Sequence, residues 1–288
     1  MSAAPLAALA LSRAERDRQF SPSLSAKDAG GTLSRHAAET ATLWDDPTLA
    51  CLRDRAYDAA PRCRYDLVRP AGPGPFPCLA FLHGGFWQEG DKGGSGLAAR
   101  ALARRGWASA LIGYTLAPEA RLSDIVAEAG QAVVHLAEHA ADLHLDPARL
   151  VVAGHSAGAH LAAALLCGKA GPTAAGAMAG VVLISGVYDL EPVAASYVND
   201  RVGMDAAEVR DLSLLDARPP AGSLVLVLVG ADEPPAFQEQ SEALYRAWSG
   251  ATAALSLHRA PGRDHFDILD ELADPDSPTF AALTETDR

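Results

Sequence analysis

From about residue 63 onward, short apolar runs alternate with longer stretches of helical periodicity. Several of the runs are near-continuous in Val, Leu and Ile, which is typical of parallel strands covered on both faces. The predicted strands are CRYDLV (63–68), PCLAFLH (77–83), ASALIGY (108–114), RLVVAG (149–154), GVVLISG (180–186), SLVLVLVG (223–230) and ALSLHRA (254–260), with helices at 94–105, 122–144, 157–169 and 236–249. This alternation predicts an α/β fold, a doubly wound and mostly parallel sheet with helices on both faces.

Residues 1–60 are less periodic, because Ser, Gly and Asp interrupt short helical pieces such as TLSRHAAETATLW. We interpret them as an N-terminal extension packed on the core. Residues 61–288 then form one catalytic domain, since no repeat or low-complexity linker divides them.

The composition of the chain excludes several classes of binding partner. The formal net charge of −12, with no basic patch, argues against nucleic acid and anionic membrane. No apolar stretch is long enough to span a bilayer, and the N-terminus does not resemble a signal peptide. The four cysteines form no C-x-x-C pair, so a reducing cytoplasm is the expected compartment. The oligomeric state stays open, and a homodimer is compatible with the sequence.

A serine between two glycines follows the strand RLVVAG, in the pentapeptide GHSAG (154–158). A G-x-S-x-G motif between a strand and a helix is typical of a nucleophile elbow, a sharp turn that exposes the serine hydroxyl above the sheet. The following helix directs its N-terminal N–H groups to the same point. Ser156 is therefore the candidate nucleophile, and the alternative is an N-capping serine at a Gly-rich helix start.

The segment HGGFW (83–87) follows the strand PCLAFL. Glycines at a strand end can present backbone N–H groups to a developing oxyanion without obstruction by side chains. We assign an oxyanion hole to the N–H groups of Gly85 and Phe86. Gly84 would permit the turn and Ala157 would add its own N–H.

A serine nucleophile needs a base that an acid orients. His265, in the polar loop APGRDHFDI after the last apolar run, is the candidate base. Two carboxylates, Asp232 and Glu233, compete for the role of acid in GADEPPAF, after the strand SLVLVLVG. Asp232 lies closer to the strand end, whereas Glu233 reaches further, and the residues alone leave both open.

The segment HLAEH (135–139) matches the H-x-x-E-H pattern of a zinc-peptidase motif. On a helical projection, however, His135 and His139 lie opposite the apolar stripe, together with Glu138. We interpret this face as solvated and expect no metal and no cofactor.

Together these motifs resemble the kynurenine formamidase (arylformamidase) branch of the α/β-hydrolase superfamily, over about residues 63–272. HGGFW is similar to that family's H-G-G-x-W motif, and GHSAGAHLAA, SGVYDLEP, GADEPPAF and GRDHFDI continue the likeness. The resemblance implies Ser156 and His265 in the triad. It favours Glu233 as the acid, three residues after a glycine and four before Phe237, although family members often carry Asp there.

The resemblance further implies hydrolysis of N-formyl-L-kynurenine to formate and kynurenine, a step of tryptophan catabolism, without metal or cofactor. The partner would be a small aryl amide or ester. A carboxylesterase of the same fold is the alternative, and a catalytically silent binding module is the third hypothesis. Because Phe86, Trp87 and Tyr188 follow strand ends, we expect these aromatic side chains to line the substrate pocket, with a tight acyl side.

Overall fold

The computed structural model describes residues 6–252 and 254–285. Within these ranges eight strands form one sheet, in the order β1-β2-β4-β3-β5-β6-β7-β8. Strands β3 to β8 run parallel to one another, whereas β1 and β2 add an antiparallel edge, with β2 antiparallel to both β1 and β4. The strands are β1 Leu49–Ala56, β2 Arg64–Pro70, β3 Phe76–Leu82, β4 Ala108–Ile112, β5 Leu145–His155, β6 Gly180–Ile184, β7 Leu224–Gly230 and β8 Ala254–Ala260.

Helices cover both faces of this sheet, which confirms the predicted fold class. No helix in the described ranges is long and apolar enough to cross a membrane. The α-helices are α1 Ala7–Ala10, α2 Arg13–Gln19, α3 Ala29–Ala41, α4 Ala99–Arg104, α5 Leu122–Glu138, α6 Ala140–Leu143, α7 Ala157–Leu166, α8 Pro172–Gly176, α9 Glu191–Ala194, α10 Asn199–Val202, α11 Ala206–Leu212, α12 Pro235–Trp248 and α13 Pro278–Thr284.

Alternate residues of the central strands enter two separate cores. Ala80 and Leu82 of β3 face the larger core beneath α5 and α7, whereas Leu79 and Phe81 face the smaller core with Leu102 of α4. Burial on both faces explains why the strand sequences are apolar throughout rather than alternating.

Strand β1 is absent from the sequence-based prediction, and it lies inside the segment assigned to the extension. Its second half, Arg53–Ala56, is exposed to solvent. An edge strand with charged residues lacks the apolar run that marks a buried strand. The sheet therefore begins at Leu49, before the predicted domain boundary at residue 60.

The segment before β1 packs against residues far along the chain. Arg16 is buried and donates to the carbonyls of Ala8, Leu9, Leu11 and, far along the chain, Ala195. Four hydrogen bonds from one buried guanidinium to backbone carbonyls hold α1 and α2 in place.

The connection from β5 to α7 brings backbone atoms of the two elements, and of β3, very close together. A Cβ built on Gly154 would lie 2.1 Å from the carbonyl oxygen of Gly158. One built on Gly158 would lie 2.0 Å from the carbonyl oxygen of Leu82 in β3. Both positions require glycine, because backbone atoms occupy the space that any side chain needs.

We expect Gly158→Ala to destabilise the fold by about 3 kcal/mol or more, because a methyl group there meets backbone rather than a movable side chain. Gly176→Ala is the matched control, since a Cβ on Gly176 of α8 meets nothing within 4 Å. It should be neutral or slightly stabilising. Urea unfolding of both variants measures the difference, and equal midpoints would contradict the explanation.

Candidate active site

Ser156 lies at the apex of a strained turn between β5 and α7. Its backbone has φ +54° and ψ −118°, a conformation that L-residues rarely adopt. The turn is held by a 2.8 Å hydrogen bond from the N–H of Ser156 to the carbonyl of Ile184 in β6. Ser156 borders a cavity.

Glu233 and His265 meet beneath the same cavity. His265 Nδ1 lies 2.7 Å from Glu233 Oε2, and both residues are 3% exposed. The other carboxylate oxygen of Glu233 accepts hydrogen bonds from the N–H of Gly230, at 2.6 Å, and from the Ser185 hydroxyl, at 2.5 Å. Three polar groups around one buried carboxylate satisfy its oxygens and fix its direction.

The competing carboxylate, Asp232, points to the surface. Its side chain is 48% exposed and lies 3.6 Å from Lys27 Nζ. Of the two acids that the residues alone left open, the structure brings Glu233 to His265.

Two supporting residues were missed by the sequence analysis. Ser185 at the end of β6 has φ +53° and carries the hydroxyl that binds Glu233. His155 directs Nε2 to the carbonyl of His265 at 2.7 Å, and the two rings lie 4.7 Å apart. Burial holds the pKa of His155 well below its usual value. A non-glycine residue with positive φ is visible only in the folded backbone, so no sequence signal marks Ser185.

The loop HGGFW lies against the elbow. A Cβ built on Gly84 would be 3.1 Å from the Ser156 Cβ, and Gly85 and Phe86 have φ of +112° and +45°. Within residues 6–252 and 254–285, the N–H groups of Gly85, Phe86 and Ala157 donate to no protein acceptor. These backbone donors, on the two segments that meet at Ser156, can bind a ligand.

The aromatic residues of the predicted pocket divide into two groups. Phe86 borders the cavity, whereas Trp87 and Tyr188 are fully buried and do not. Trp87 packs edge-on against His160, with ring centroids 5.1 Å apart, and the N–H of Tyr188 is bound by Gln240. The Trp87 ring is fully buried in the larger core, and its backbone φ is +58°. Trp87 and Tyr188 thus support the wall from behind rather than forming its surface.

The cavity has a volume of about 610 Å³, which suits a drug-sized molecule. Ser156, His265 and Phe86 border it. The N-terminal segment supplies much of the opposite wall, which the sequence analysis did not assign: Pro22, Ser23, Ala29, Leu33 and His36.

Phe20 connects this N-terminal wall to the catalytic loops. Its fully buried ring lies 6.5 Å from that of Phe86 and 6.0 Å from that of Phe237, both edge-on. The Phe237 ring in turn lies 4.3 Å from the His265 ring. One aromatic side chain before the sheet therefore packs against both halves of the site.

The H-x-x-E-H segment lies on α5 and the residue after it, away from the cavity. His135 and His139 stack on each other at 4.2 Å, and His135 is half-buried against Tyr65 of β2. The predicted solvated face is therefore partly covered. Across the part of the chain that the structure describes, no three His, Cys, Asp or Glu side chains are grouped to hold a metal ion.

The sheet order, the elbow and the loops at the carboxyl ends of the strands define an α/β-hydrolase. A family model described as BD-FAE matches residues 66–194. Kynurenine formamidase of Danio rerio is 30% identical over 283 residues, 92% of each chain. Kynurenine formamidase of Salmo salar is 32% identical over 207 residues, 69% of each chain.

Solved structures show the same architecture. A Silicibacter protein with a provisional thioesterase assignment has a TM-score of 0.83 at 32% identity, covering 94% of this chain and 99% of that one. The carboxylesterase EstE1, from a metagenomic library, has a TM-score of 0.69 at 20% identity over 96% of both chains. The chain belongs to the kynurenine formamidase family, and it is a serine hydrolase of the α/β-hydrolase fold.

Buried histidines make stability depend on pH. Burial lowers the pKa of His160 to about 4, whereas an unfolded histidine titrates near 6.5. The unfolded state therefore binds more protons below about pH 6.5, and the free energy of unfolding should fall as the pH is lowered. We expect His160 to account for about 2 kcal/mol of this loss between pH 7 and 5.

Urea unfolding of the wild type and of His160→Gln at pH 7 and pH 5 measures that share. The variant should lose less stability on acidification. His139→Gln, at a solvent-exposed histidine, is the matched control and should retain the wild-type dependence. Identical pH dependence in all three proteins would contradict the assignment.

Proposed function

We propose that the protein hydrolyses an aryl formamide of the N-formylkynurenine type through a formyl-serine intermediate. Ser156 acts as nucleophile, His265 as general base and then acid, and Glu233 as the orienting carboxylate. The N–H groups of Gly85, Phe86 and Ala157 bind the oxyanion. Two kynurenine formamidases at 30% and 32% identity support the substrate class.

One contact carries the proposal: the buried 2.7 Å bond between His265 Nδ1 and Glu233 Oε2. The carboxylate holds the Nδ1 proton, so the basic nitrogen of the neutral ring is Nε2. Ser156 and His265 border the same cavity, and His155, next to Ser156 in the chain, packs on the His265 ring.

In the first half-reaction the Ser156 hydroxyl adds to the formyl carbon while His265 takes its proton. The negative charge on the carbonyl oxygen is stabilised by the three N–H groups. His265 then protonates the leaving aniline nitrogen, the C–N bond breaks, and formyl-Ser156 remains. Water, deprotonated by His265, releases formate in the second half-reaction and restores the serine hydroxyl.

A carboxylesterase is the second candidate, and the cavity supports it. A volume of about 610 Å³ exceeds what a formyl group fills, so the site has room for a longer acyl chain or a large alcohol. The same three residues would cleave an ester, with an alkoxide or phenoxide as leaving group.

Two isosteric substitutions in the loop after β7 test which carboxylate orients His265. Glu233→Gln should lower turnover by about 10⁴-fold, because the neutral amide cannot balance the charge that forms on His265. Asp232→Asn is the matched control and should stay near wild type, since Asp232 is exposed and paired with Lys27. A larger loss in Asp232→Asn would exchange the two roles.

The substrate class is tested by kcat/KM on N-formylkynurenine and on formyl, acetyl and butyryl derivatives of one aromatic amine and one phenol. We expect efficiency to fall with acyl length, and N-formylkynurenine to be among the best amides. Ser156→Ala should lose activity by about 10⁶-fold and escape labelling by an organofluorophosphonate. If butyryl esters were preferred and N-formylkynurenine were untouched, the carboxylesterase would replace the formamidase.

A further inference from the structure

The segment HGGFW (83–87) has a backbone conformation that contacts outside the segment must hold. Gly85, Phe86 and Trp87 have φ of +112°, +45° and +58°, and two of these three residues are not glycine. Consecutive residues in the left-handed region persist only where the surrounding structure fixes them. The N–H groups of Gly85 and Phe86 donate to no protein acceptor within residues 6–252 and 254–285, so their directions depend on contacts made by other atoms of the segment.

The direction of each of these N–H groups follows from the carbonyl in the same peptide unit. In a planar trans peptide the C=O and N–H bonds point in opposite directions. The peptide between Gly84 and Gly85 is trans, so a group that binds the Gly84 carbonyl also sets the direction of the Gly85 N–H. The carbonyl of Gly85 accepts from the N–H groups of Gln88 and Glu89, at 2.9 and 3.0 Å. The Phe86 N–H is fixed in the same way.

The His83 side chain binds the Gly84 carbonyl. Its Nδ1 lies 2.8 Å from the Gly84 oxygen, and since a carbonyl oxygen only accepts, Nδ1 carries the proton. Burial lowers the pKa of His83 to about 4, so the ring is neutral at neutral pH and Nδ1–H is its one N–H donor. A Cβ built on Gly90 would lie 2.7 Å from His83 Nδ1 and 2.6 Å from the Gly84 oxygen. A side chain at position 90 would therefore collide with both atoms of this hydrogen bond.

Tyr114 in turn holds His83. The two rings stack with centroids 4.2 Å apart and planes 11° apart, and the Tyr114 hydroxyl donates to the His83 carbonyl at 2.6 Å. Tyr114 is fully buried just after β4, which pairs in parallel with β3. The N–H of Ala117, further along the same connection, donates to the Trp87 carbonyl at 2.8 Å. The connection after β4 is thus bonded to both ends of HGGFW.

We propose that His83 and Tyr114 are positioning residues for the oxyanion hole, which direct the Gly85 N–H toward the carbonyl oxygen of the substrate. His83 acts through the Gly84–Gly85 peptide, and Tyr114 acts through His83. The inference rests on the proposed function, because the Gly85 N–H has this role only if Ser156 attacks a carbonyl. A donor that already points to this position stabilises the charge that appears in the transition state, and adds little to the binding of the uncharged ground state.

The test removes the Nδ1 donor with and without a substitute. His83→Leu has no donor, whereas His83→Asn retains a side-chain N–H close to the position of Nδ1. In His83→Leu we expect kcat for N-formylkynurenine and for phenyl acetate to fall by about 100-fold, the effect of losing one oxyanion-hole donor, with KM changed by less than about twofold. His83→Asn should recover most of the lost kcat.

Two tyrosine variants form a matched pair. Tyr114→Phe keeps the stacked ring but loses the hydroxyl that binds His83, and kcat should fall by about tenfold. Tyr57→Phe loses a hydroxyl that binds the carbonyl of Gly113 at 2.7 Å rather than HGGFW, and should retain the wild-type kcat. Urea unfolding of both variants separates a loss of stability from a loss of turnover.

An inhibitor that forms an oxyanion provides a second readout. With phenyl trifluoromethyl ketone, Ser156 Oγ adds to the carbonyl carbon, the hydroxyl proton passes to His265, and the carbonyl oxygen becomes an oxyanion in the hole. The inhibition constant should rise in His83→Leu by the same factor by which kcat/KM falls, because both measure the stabilisation of that charge. A side chain that only supported the fold would not produce this correspondence.

A wild-type kcat in folded His83→Leu, a loss confined to KM, or equal losses in His83→Leu and His83→Asn would overturn the positioning role. If the His83 variants did not fold, an unchanged kcat and inhibition constant in Tyr114→Phe, or an equal loss in Tyr57→Phe, would overturn it. A wild type that cleaves neither substrate and is not inhibited by the ketone would instead refute the proposed function, so the two failures are distinguishable.

Discussion

The turn at Ser156 is the constraint on which the site depends. A strand that passes directly into a helix can expose a side chain above the sheet only by a sharp reversal, here at φ +54°. That reversal brings α7 very close to β5 and β3. A Cβ at position 154 or 158 would therefore collide with backbone atoms, and both positions are glycine. The strain is offset by the burial of every residue of α7.

Polar groups from three neighbouring strand ends surround the Glu233 carboxylate. The N–H of Gly230 from β7, the hydroxyl of Ser185 from β6 and the imidazole of His265 after β8 all meet there. Adjacent parallel strands end at the same edge of the sheet, so residues far apart in sequence reach one buried charge. The carboxylate is oriented by the sheet rather than by its own loop.

The N-terminal segment both packs on the sheet domain and lines the cavity. Phe20 packs against Phe86 and Phe237, Lys27 reaches the loop that carries His265, and residues 22–36 supply a wall of the cavity. These contacts place the N-terminal segment beside Ser156 and His265.

Local patterns predicted seven of the eight strands and the turns at Ser156 and at HGGFW, because burial on both faces requires continuous apolar runs and tight turns require glycine. The same patterns could not choose between Asp232 and Glu233, since the choice depends on where Gly230 and Ser185 lie in space. They missed β1, whose edge position removes the apolar signal. They also placed Trp87 and Tyr188 on the pocket surface, although both side chains are fully buried in the core. The local sequence determines which helix, strand or turn each segment can form, whereas tertiary packing decides which side chains face the cavity.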